Sequence, residues 1–193
     1  MTSVSKWVAG ARPRTLVAAI APVMVATAFA GSQWSPWRAL FALIVSLALQ
    51  IGVNYANDYS DGIRGTDDSR IGPMRLTASG LAKPGAVKAA AALSFLIAAC
   101  AGLALASLTT WWLILIGALA INAAWGYTGG NSPYGYKGVG EVAVFLFFGV
   151  VATVGSYFSQ TENINFQILI ISIQIGAFAF ANFAIKKNRD SAQ

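Results

Sequence analysis

The chain has 193 residues and a net charge of +6; 56% of its residues are apolar and only 10% are charged. Soluble domains carry about 25% charged residues, so this composition excludes a soluble fold and predicts a membrane protein. The chain has no His and a single Cys, Cys100. Zinc, haem and iron–sulfur sites are therefore not expected, nor is a disulfide framework.

Long stretches without charge predict the membrane-spanning helices. A spanning helix needs about 20 consecutive apolar residues, and the charge-free stretches are long enough for six. The sequence therefore predicts an all-α, polytopic transmembrane helix bundle. The predicted helices cover residues 14–31, 38–57, 87–108, 111–128, 140–159 and 165–186.

The basic residues predict the orientation of the bundle. With six spans, twelve of the thirteen Lys and Arg residues fall on the N-terminal side of the membrane, and Arg38 alone falls on the other. This is the positive-inside pattern. It predicts a multi-pass protein of the cell inner or plasma membrane, with both termini and the long polar loops in the cytoplasm. Topology thus explains the net charge, and the expected partner is the lipid bilayer rather than nucleic acid.

A block of acidic residues follows the second predicted helix. Four of the seven acids of the chain lie within residues 58–68, directly after the 19 uncharged residues 39–57. Carboxylates are costly near hydrocarbon, and ionisable groups at membrane depth usually mark a function. We expect this block to form a site at the cytoplasmic end of the helix.

The spacing of the polar residues suggests a metal site. Gln50, Asn54, Asp58 and Asp61 are four, four and three residues apart, which on a helix places them on one face. Asp67 can fold back from the following loop to complete an oxygen-only ligand set. Mg²⁺ prefers one or two carboxylates together with waters and substrate phosphates. The candidate metal ligands are therefore Asn54, Asp58, Asp61 and Asp67.

Arginines lie among and after these acids. Arg64, Arg70 and Arg75 suit bidentate contact with phosphate oxygens. Together with the acids they predict a site for a metal–diphosphate complex. The alternative is a solvated loop in which Asp and Arg side chains only pair with each other.

The second long cytoplasmic loop contributes further candidates. Lys137 and Glu141 lie four residues apart at the start of the fifth predicted helix. They could touch a diphosphate or an aromatic acid; alternatively, Lys137 sets topology and Glu141 interacts with the helix dipole.

Aromatic residues near these loops could stabilise a cation. Tyr55, Tyr59, Trp125 and Tyr127 could supply cation–π faces, or they could anchor the chain at the membrane interface.

A family resemblance accounts for these motifs together. Asn54, Asp58 and Asp61 match Asn-x-x-x-Asp-x-x-Asp, and on this motif the chain resembles the UbiA superfamily of intramembrane aromatic prenyltransferases. Its closest resemblance is to the branch of 1,4-dihydroxy-2-naphthoate polyprenyltransferases of menaquinone synthesis. The segments that resemble this branch are Trp7 with 11–16, 57–67, 70–80, 127–130 and 136–149.

The resemblance implies a single prenyltransferase domain over residues 1–193 that uses Mg²⁺. Its substrates would be a polyprenyl diphosphate and 1,4-dihydroxy-2-naphthoate, and its products demethylmenaquinol, CO₂ and diphosphate. The implied catalytic residues are Asp58, Asp61 and Lys137. The implied substrate-binding residues are Asn54, Arg64, Arg70, Arg75, Tyr127 and Glu141.

The chain departs from the family pattern at its C-terminal end. The family has about nine helices and a second aspartate-rich motif, and only the start of that motif is matched, by residues 188–190. We therefore expect a domain that is incomplete at its C-terminus. Three alternatives stay open: another aromatic acceptor such as 4-hydroxybenzoate, an inactive remnant, or a non-enzymatic lipid-binding or transport protein.

Overall fold

The regular structure of the chain is helical throughout the part that is described. The computed structural model describes residues 3–66 and 74–191, with side chains as far as residue 185. All regular elements in these ranges are helices, which confirms the all-α prediction. The helices are α1 Val4–Gly10, α2 Val17–Phe29, α3 Pro36–Arg64, α4 Pro84–Ser107, α5 Trp112–Gly126, α6 Gly140–Thr161 and α7 Phe166–Ser191.

Each of the six predicted segments corresponds to one of the helices α2 to α7, but not every helix is long enough to cross a membrane. Within the described residues, α3, α4, α6 and α7 meet that requirement by length and composition. A fifth span forms if Val4–Thr15 and α2, which meet at a bend of 52°, are counted together. The apolar helix α5 has 15 residues, fewer than the roughly 20 that a crossing needs. The prediction of six crossings is therefore reduced to four or five.

The bend before α2 has a local cause. Arg12 adopts a left-handed backbone conformation with φ 54°, and Pro13–Thr15 form a short 3₁₀ turn. The Thr15 hydroxyl donates to the Arg12 carbonyl at 2.9 Å. The chain thus changes direction before the apolar part of α2 begins.

Helix α3 extends further than predicted, and this decides where the acids lie. It ends at Arg64 instead of residue 57, and Gly65 follows in the left-handed conformation with φ 70°. Glycine is the usual residue at this position after a helix because it lacks a Cβ. Asp58 and Asp61 are therefore held on a helix rather than in a loop.

Small residues allow close contact between helices. A Cβ at Gly52 of α3 would lie 2.5 Å from the Phe95 ring of α4. A Cβ at Gly149 would lie 2.2 Å from the Cα of Gly176 in α7. Gly149 belongs to a wider π-helical segment of α6, Phe145–Val151. Small residues at helix contacts are typical of membrane bundles.

The start of α3 is tied to two other helix ends by Arg38. Its guanidinium donates to the Leu108 carbonyl at 2.6 Å, and to the Ser159 and Gln160 carbonyls at 3.3 Å. It also pairs with Glu162 at 2.8 Å. The last carbonyls of a helix have no partner within the helix, so one side chain satisfies the ends of both α4 and α6.

The acidic end of α3 is fixed by a packed core. A buried cluster joins α3 and α4 to the turn between them, through Tyr55, Ala56, Leu76, Val87 and Phe95. The turn following residue 74 is therefore part of the hydrophobic core, and it lies directly beside the acids.

Candidate active site

The polar face of α3 is buried from residue 50 to residue 61. Gln50, Asn54, Asp58 and Asp61 expose 7%, 3%, 1% and 6% of their surface. The predicted spacing therefore places these residues on one helix and in the interior. Their hydrogen bonds distinguish the pair of Gln50 and Asn54 from Asp58 and from Asp61, which each bind partners of their own.

The first pair binds the N-terminal segment. The Asn54 side-chain amide donates to the Ala11 carbonyl at 2.8 Å and to the Thr15 hydroxyl at 3.0 Å. The Gln50 amide donates to the Asn54 oxygen at 3.2 Å. Next to this pair, the Tyr55 hydroxyl donates to the Trp7 carbonyl at 2.8 Å. Asn54 thus holds the segment between α1 and α2 against α3.

Asp58 binds the turn that follows residue 74. Its Oδ2 accepts from the Leu76 backbone N–H at 2.8 Å, and its Oδ1 accepts from the Thr77 backbone N–H at 2.9 Å. Both carboxylate oxygens therefore have backbone donors. Hydrogen bonds to a charged group are stronger than those between neutral groups, so this contact fixes the turn firmly.

Asp61, one helical turn further on, binds side chains instead. Its Oδ2 lies 3.3 Å from a guanidinium nitrogen of Arg75, and both side chains are about nine-tenths buried. Its Oδ1 accepts a short hydrogen bond from the Tyr136 hydroxyl. Partial burial, together with the bond to Asp61, raises the pKa of Tyr136 above its ordinary value. The phenol is therefore neutral at physiological pH and remains a donor to the carboxylate.

Arg64 joins α3 to the second long loop. Its guanidinium donates to the Thr128 carbonyl, and to the Gly130 carbonyl at 2.6 Å. It also lies 5.6 Å from the centre of the Tyr136 ring. The Thr128 hydroxyl donates back to Asn57 of α3 at 2.7 Å. The two loops that the sequence identified separately are thus one cluster.

Tyr127 lies inside this second loop. The Gly135 N–H donates to its carbonyl at 2.8 Å, and its ring meets the Tyr134 ring edge-on at 5.4 Å. Burial, with smaller contributions from charges such as Glu141, raises the pKa of Tyr127 to about 12. The hydroxyl is therefore a permanently neutral group.

Lys137 is exposed and donates to the Ser132 hydroxyl of its own loop at 2.7 Å. Among the described contacts, none joins Lys137 to Asp58 or Asp61. Asp67 and Arg70, also predicted as site residues, lie outside the described residues.

The described carboxylates could hold a divalent cation only together with other groups. Within the described residues, no group of three or more His, Cys, Asp or Glu side chains could hold a metal by itself. Of the two carboxylates on α3, Asp61 is the better placed for a cation that a bound phosphate completes, because its present partners are side chains that can rearrange. Both oxygens of Asp58 already accept backbone N–H groups.

Several contacts had no signal in the sequence. Tyr136 was not singled out, although it precedes Lys137 in a loop rich in Gly and Tyr. The Lys88 ammonium lies 5.6 Å from the centre of the Tyr59 ring and 5.9 Å from that of Trp125. The two rings are stacked with centres 6.4 Å apart. Two of the predicted cation–π faces are therefore next to a lysine.

Comparison with known proteins identifies the family. The model of the UbiA prenyltransferase family matches residues 19–193. The chain belongs to this family. Its members are generally metal-dependent, and the apolar helices of the chain make it a multi-pass membrane protein.

Three curated relatives, each named 1,4-dihydroxy-2-naphthoate octaprenyltransferase, are similar to this member of the UbiA family. Those of Mycobacterium leprae and Mycobacterium tuberculosis are both 51% identical to it, over 98% of this chain and 65% and 66% of their own lengths. That of Escherichia coli is 36% identical, over 95% of this chain and 63% of its own. The chain thus spans about two thirds of the length of these relatives. No solved structure matches it.

Proposed function

We propose that the chain transfers a polyprenyl group from an allylic diphosphate to 1,4-dihydroxy-2-naphthoate, as a single prenyltransferase domain over residues 1–193. The observation that carries this proposal is the buried pair of Asp61 and Arg75, which Arg64 and Tyr136 border. It offers a carboxylate for a cation and guanidinium groups for phosphate oxygens within one cluster. The acceptor is the one for which these relatives are named.

The donor side of the reaction needs the diphosphate to leave. Asp61 and Asp67 are the carboxylates that we propose to hold Mg²⁺. Asn54 and Asp58, the other two predicted metal ligands, would hold neighbouring segments of the chain in place instead. Bound Mg²⁺ would neutralise charge on the diphosphate and so assist departure of the leaving group. Arg75, together with Arg64 and Arg70, would bind the remaining phosphate oxygens. Preorganised charge of this kind is usually a large catalytic contribution.

The acceptor side is assigned to the second loop. We propose that Lys137 attracts the ring carboxylate and that Tyr127 supplies a neutral hydroxyl. Glu141, in the first turn of α6, is the candidate base. The allylic carbon–oxygen bond breaks, a ring carbon forms the new carbon–carbon bond, and the ring carboxylate leaves as CO₂. We further propose that this site faces the cytoplasm from the plasma membrane.

The test is an assay on membranes that contain the chain. Carboxyl-labelled 1,4-dihydroxy-2-naphthoate, a polyprenyl diphosphate and Mg²⁺ are expected to give labelled CO₂ and a lipid-soluble product. A chelator should abolish both. If product forms with 4-hydroxybenzoate and not with 1,4-dihydroxy-2-naphthoate, the acceptor is 4-hydroxybenzoate. The absence of any product with either acid would contradict the proposed activity for this chain.

A further inference from the structure

We propose that Asp58 is a positioning residue, which anchors the turn at residues 74–80 so that Arg75 meets Asp61. Its carboxylate would then act through the turn and not as an oxygen ligand of the metal. That Arg75 receives a diphosphate rests on the proposed function, whereas the anchoring of the turn does not.

The surroundings of Asp58 favour an anchor over a ligand. Asp58 is 1% exposed, and each of its oxygens accepts a backbone N–H, from Leu76 and from Thr77. Mg²⁺ gives up its waters reluctantly and usually keeps several of them. A carboxylate that is enclosed in this way leaves little room for a hydrated ion.

The turn is built to rest on α3. The Leu81 and Ala82 N–H groups donate to the Leu76 carbonyl at 2.9 and 3.0 Å. The Leu76 side chain is fully buried. A Cβ at Gly62 would lie 2.5 Å from the Thr77 side chain. The two hydrogen bonds of Asp58 therefore hold a compact segment that packs closely against the helix.

Arg75 immediately precedes the two anchored N–H groups. It is 8% exposed, and one of its guanidinium nitrogens lies 3.3 Å from Asp61 Oδ2. The backbone of Leu76 fixes where the side chain of Arg75 begins. A shift of the turn would therefore move the guanidinium away from Asp61, and away from any phosphate bound between them.

Limited proteolysis of the purified chain in a chelator tests the anchor without metal or substrate. Trypsin cleaves after Arg75, and this bond is protected while Leu76 is buried. We expect Asp58→Ala to be cut there about tenfold faster than the unmodified chain or more, with Asp58→Asn intermediate, since cleavage follows the population of the opened turn. Mass spectrometry of the fragments identifies the site of cleavage.

Asp61→Asn is the matched control, one turn along the same helix. It removes the charge that faces Arg75 but leaves both bonds to the turn, so cleavage after Arg75 should stay within about twofold of the unmodified rate. If Asp58→Ala loses its overall helix content, Asp58→Asn decides the matter. Protection of the Arg75 bond equal to that of the unmodified chain in a well-folded Asp58→Asn would overturn the proposal.

A kinetic measurement separates positioning from metal binding. We expect Asp58→Asn to raise the KM for the polyprenyl diphosphate while the Mg²⁺ concentration for half-maximal rate stays unchanged. In combination with Arg75→Gln the effects on KM should not add, because both act on one contact. A raised Mg²⁺ requirement with unchanged KM would overturn the proposal. If the unmodified chain makes no product, the proposed function fails while the proteolysis result still stands.

Discussion

The two ends of α3 both carry a contact between an arginine and an acid, but they differ in burial and in what else the arginine binds. At one end Arg38 donates mainly to backbone carbonyls, and Glu162 adds one exposed carboxylate. At the other end, about 35 Å along the helix at 1.5 Å per residue, Arg75 and Asp61 meet through side chains alone in the contacts described.

This difference suggests that the Arg38 contact holds the helices of the bundle together, whereas the Asp61 and Arg75 contact is suited to binding a ligand. Backbone carbonyls at helix ends cannot move without unwinding the helix, so Arg38 makes a permanent contact. Side-chain partners can rotate to admit a third group, so the Asp61 and Arg75 pair can open for a cation and a phosphate. Asp58, whose partners are backbone N–H groups, belongs with the permanent contacts although it lies at the second end.

The largest expected effect is on catalysis and comes from the Asp61 end of α3. Asp61→Asn should lower the rate of prenyl transfer by about 100-fold to 1,000-fold, the usual cost of losing a group that stabilises charge in the transition state. The measurement is labelled CO₂ release by membranes with matched amounts of the chain. Glu162→Gln, the acid at the other end, is the control and should keep its rate. If both variants lose the same fraction of the prenyl-transfer rate, the Asp61 end of α3 has no special role in catalysis.

The next effect is on stability and comes from the Arg38 end of α3. Arg38→Gln removes the guanidinium donors to the helix carbonyls and should lower the free energy of unfolding by about 1–2 kcal/mol, a modest loss because the contact is partly exposed. The measurement is thermal unfolding in detergent, followed by loss of helical signal. Arg14→Gln, which replaces an exposed arginine, should change it by less than about 0.5 kcal/mol. A variant at Arg38 that is as stable as the Arg14 variant would show that this contact is dispensable.

The smaller of the two expected effects on catalysis tests the contribution of Tyr136 to the Asp61 end of α3. Tyr136→Phe removes one donor to Asp61 and should lower the rate by about 10-fold to 100-fold, since one hydrogen bond to a charged group contributes about 1.5–3 kcal/mol. Tyr134→Phe is the paired control, because its hydroxyl donates to the Ala123 carbonyl instead, at 2.9 Å. KM and kcat are measured separately for the two variants. Identical behaviour of the two tyrosine variants would remove Tyr136 from the site.

The sequence predicted the placement of the acids better than their partners. The spacing of Asn54, Asp58 and Asp61 predicted a single helical face, and α3 confirms it because the helix runs to Arg64. The donors to Asp58 are backbone N–H groups 18 and 19 residues away. Every residue type except proline carries such a group, so no sequence pattern marks the ones that will be used.

The same limit applies to the arginines. Charge distribution singled out Arg38 as the exception to the positive-inside pattern, yet its carbonyl partners come from α4 and α6, whose ends are brought together only in the folded bundle. Arg64 was grouped with the phosphate-binding residues by type, and the fold directs it to Thr128 and Gly130. The roles of Asp67 and Arg70, which lie outside the described residues, stay predictions.

The position of α1 has a consequence for the order of assembly. This helix is synthesised before α3, but its contacts are with segments made later: Trp7 with Tyr55, and Gly10 with Leu76, whose side chain would lie 2.7 Å from a Cβ at that position. Domains fold during synthesis largely in the order in which they are made. Helix α1 can therefore reach its position only after α3 and the turn that follows residue 74 have been made, although it precedes both in the chain.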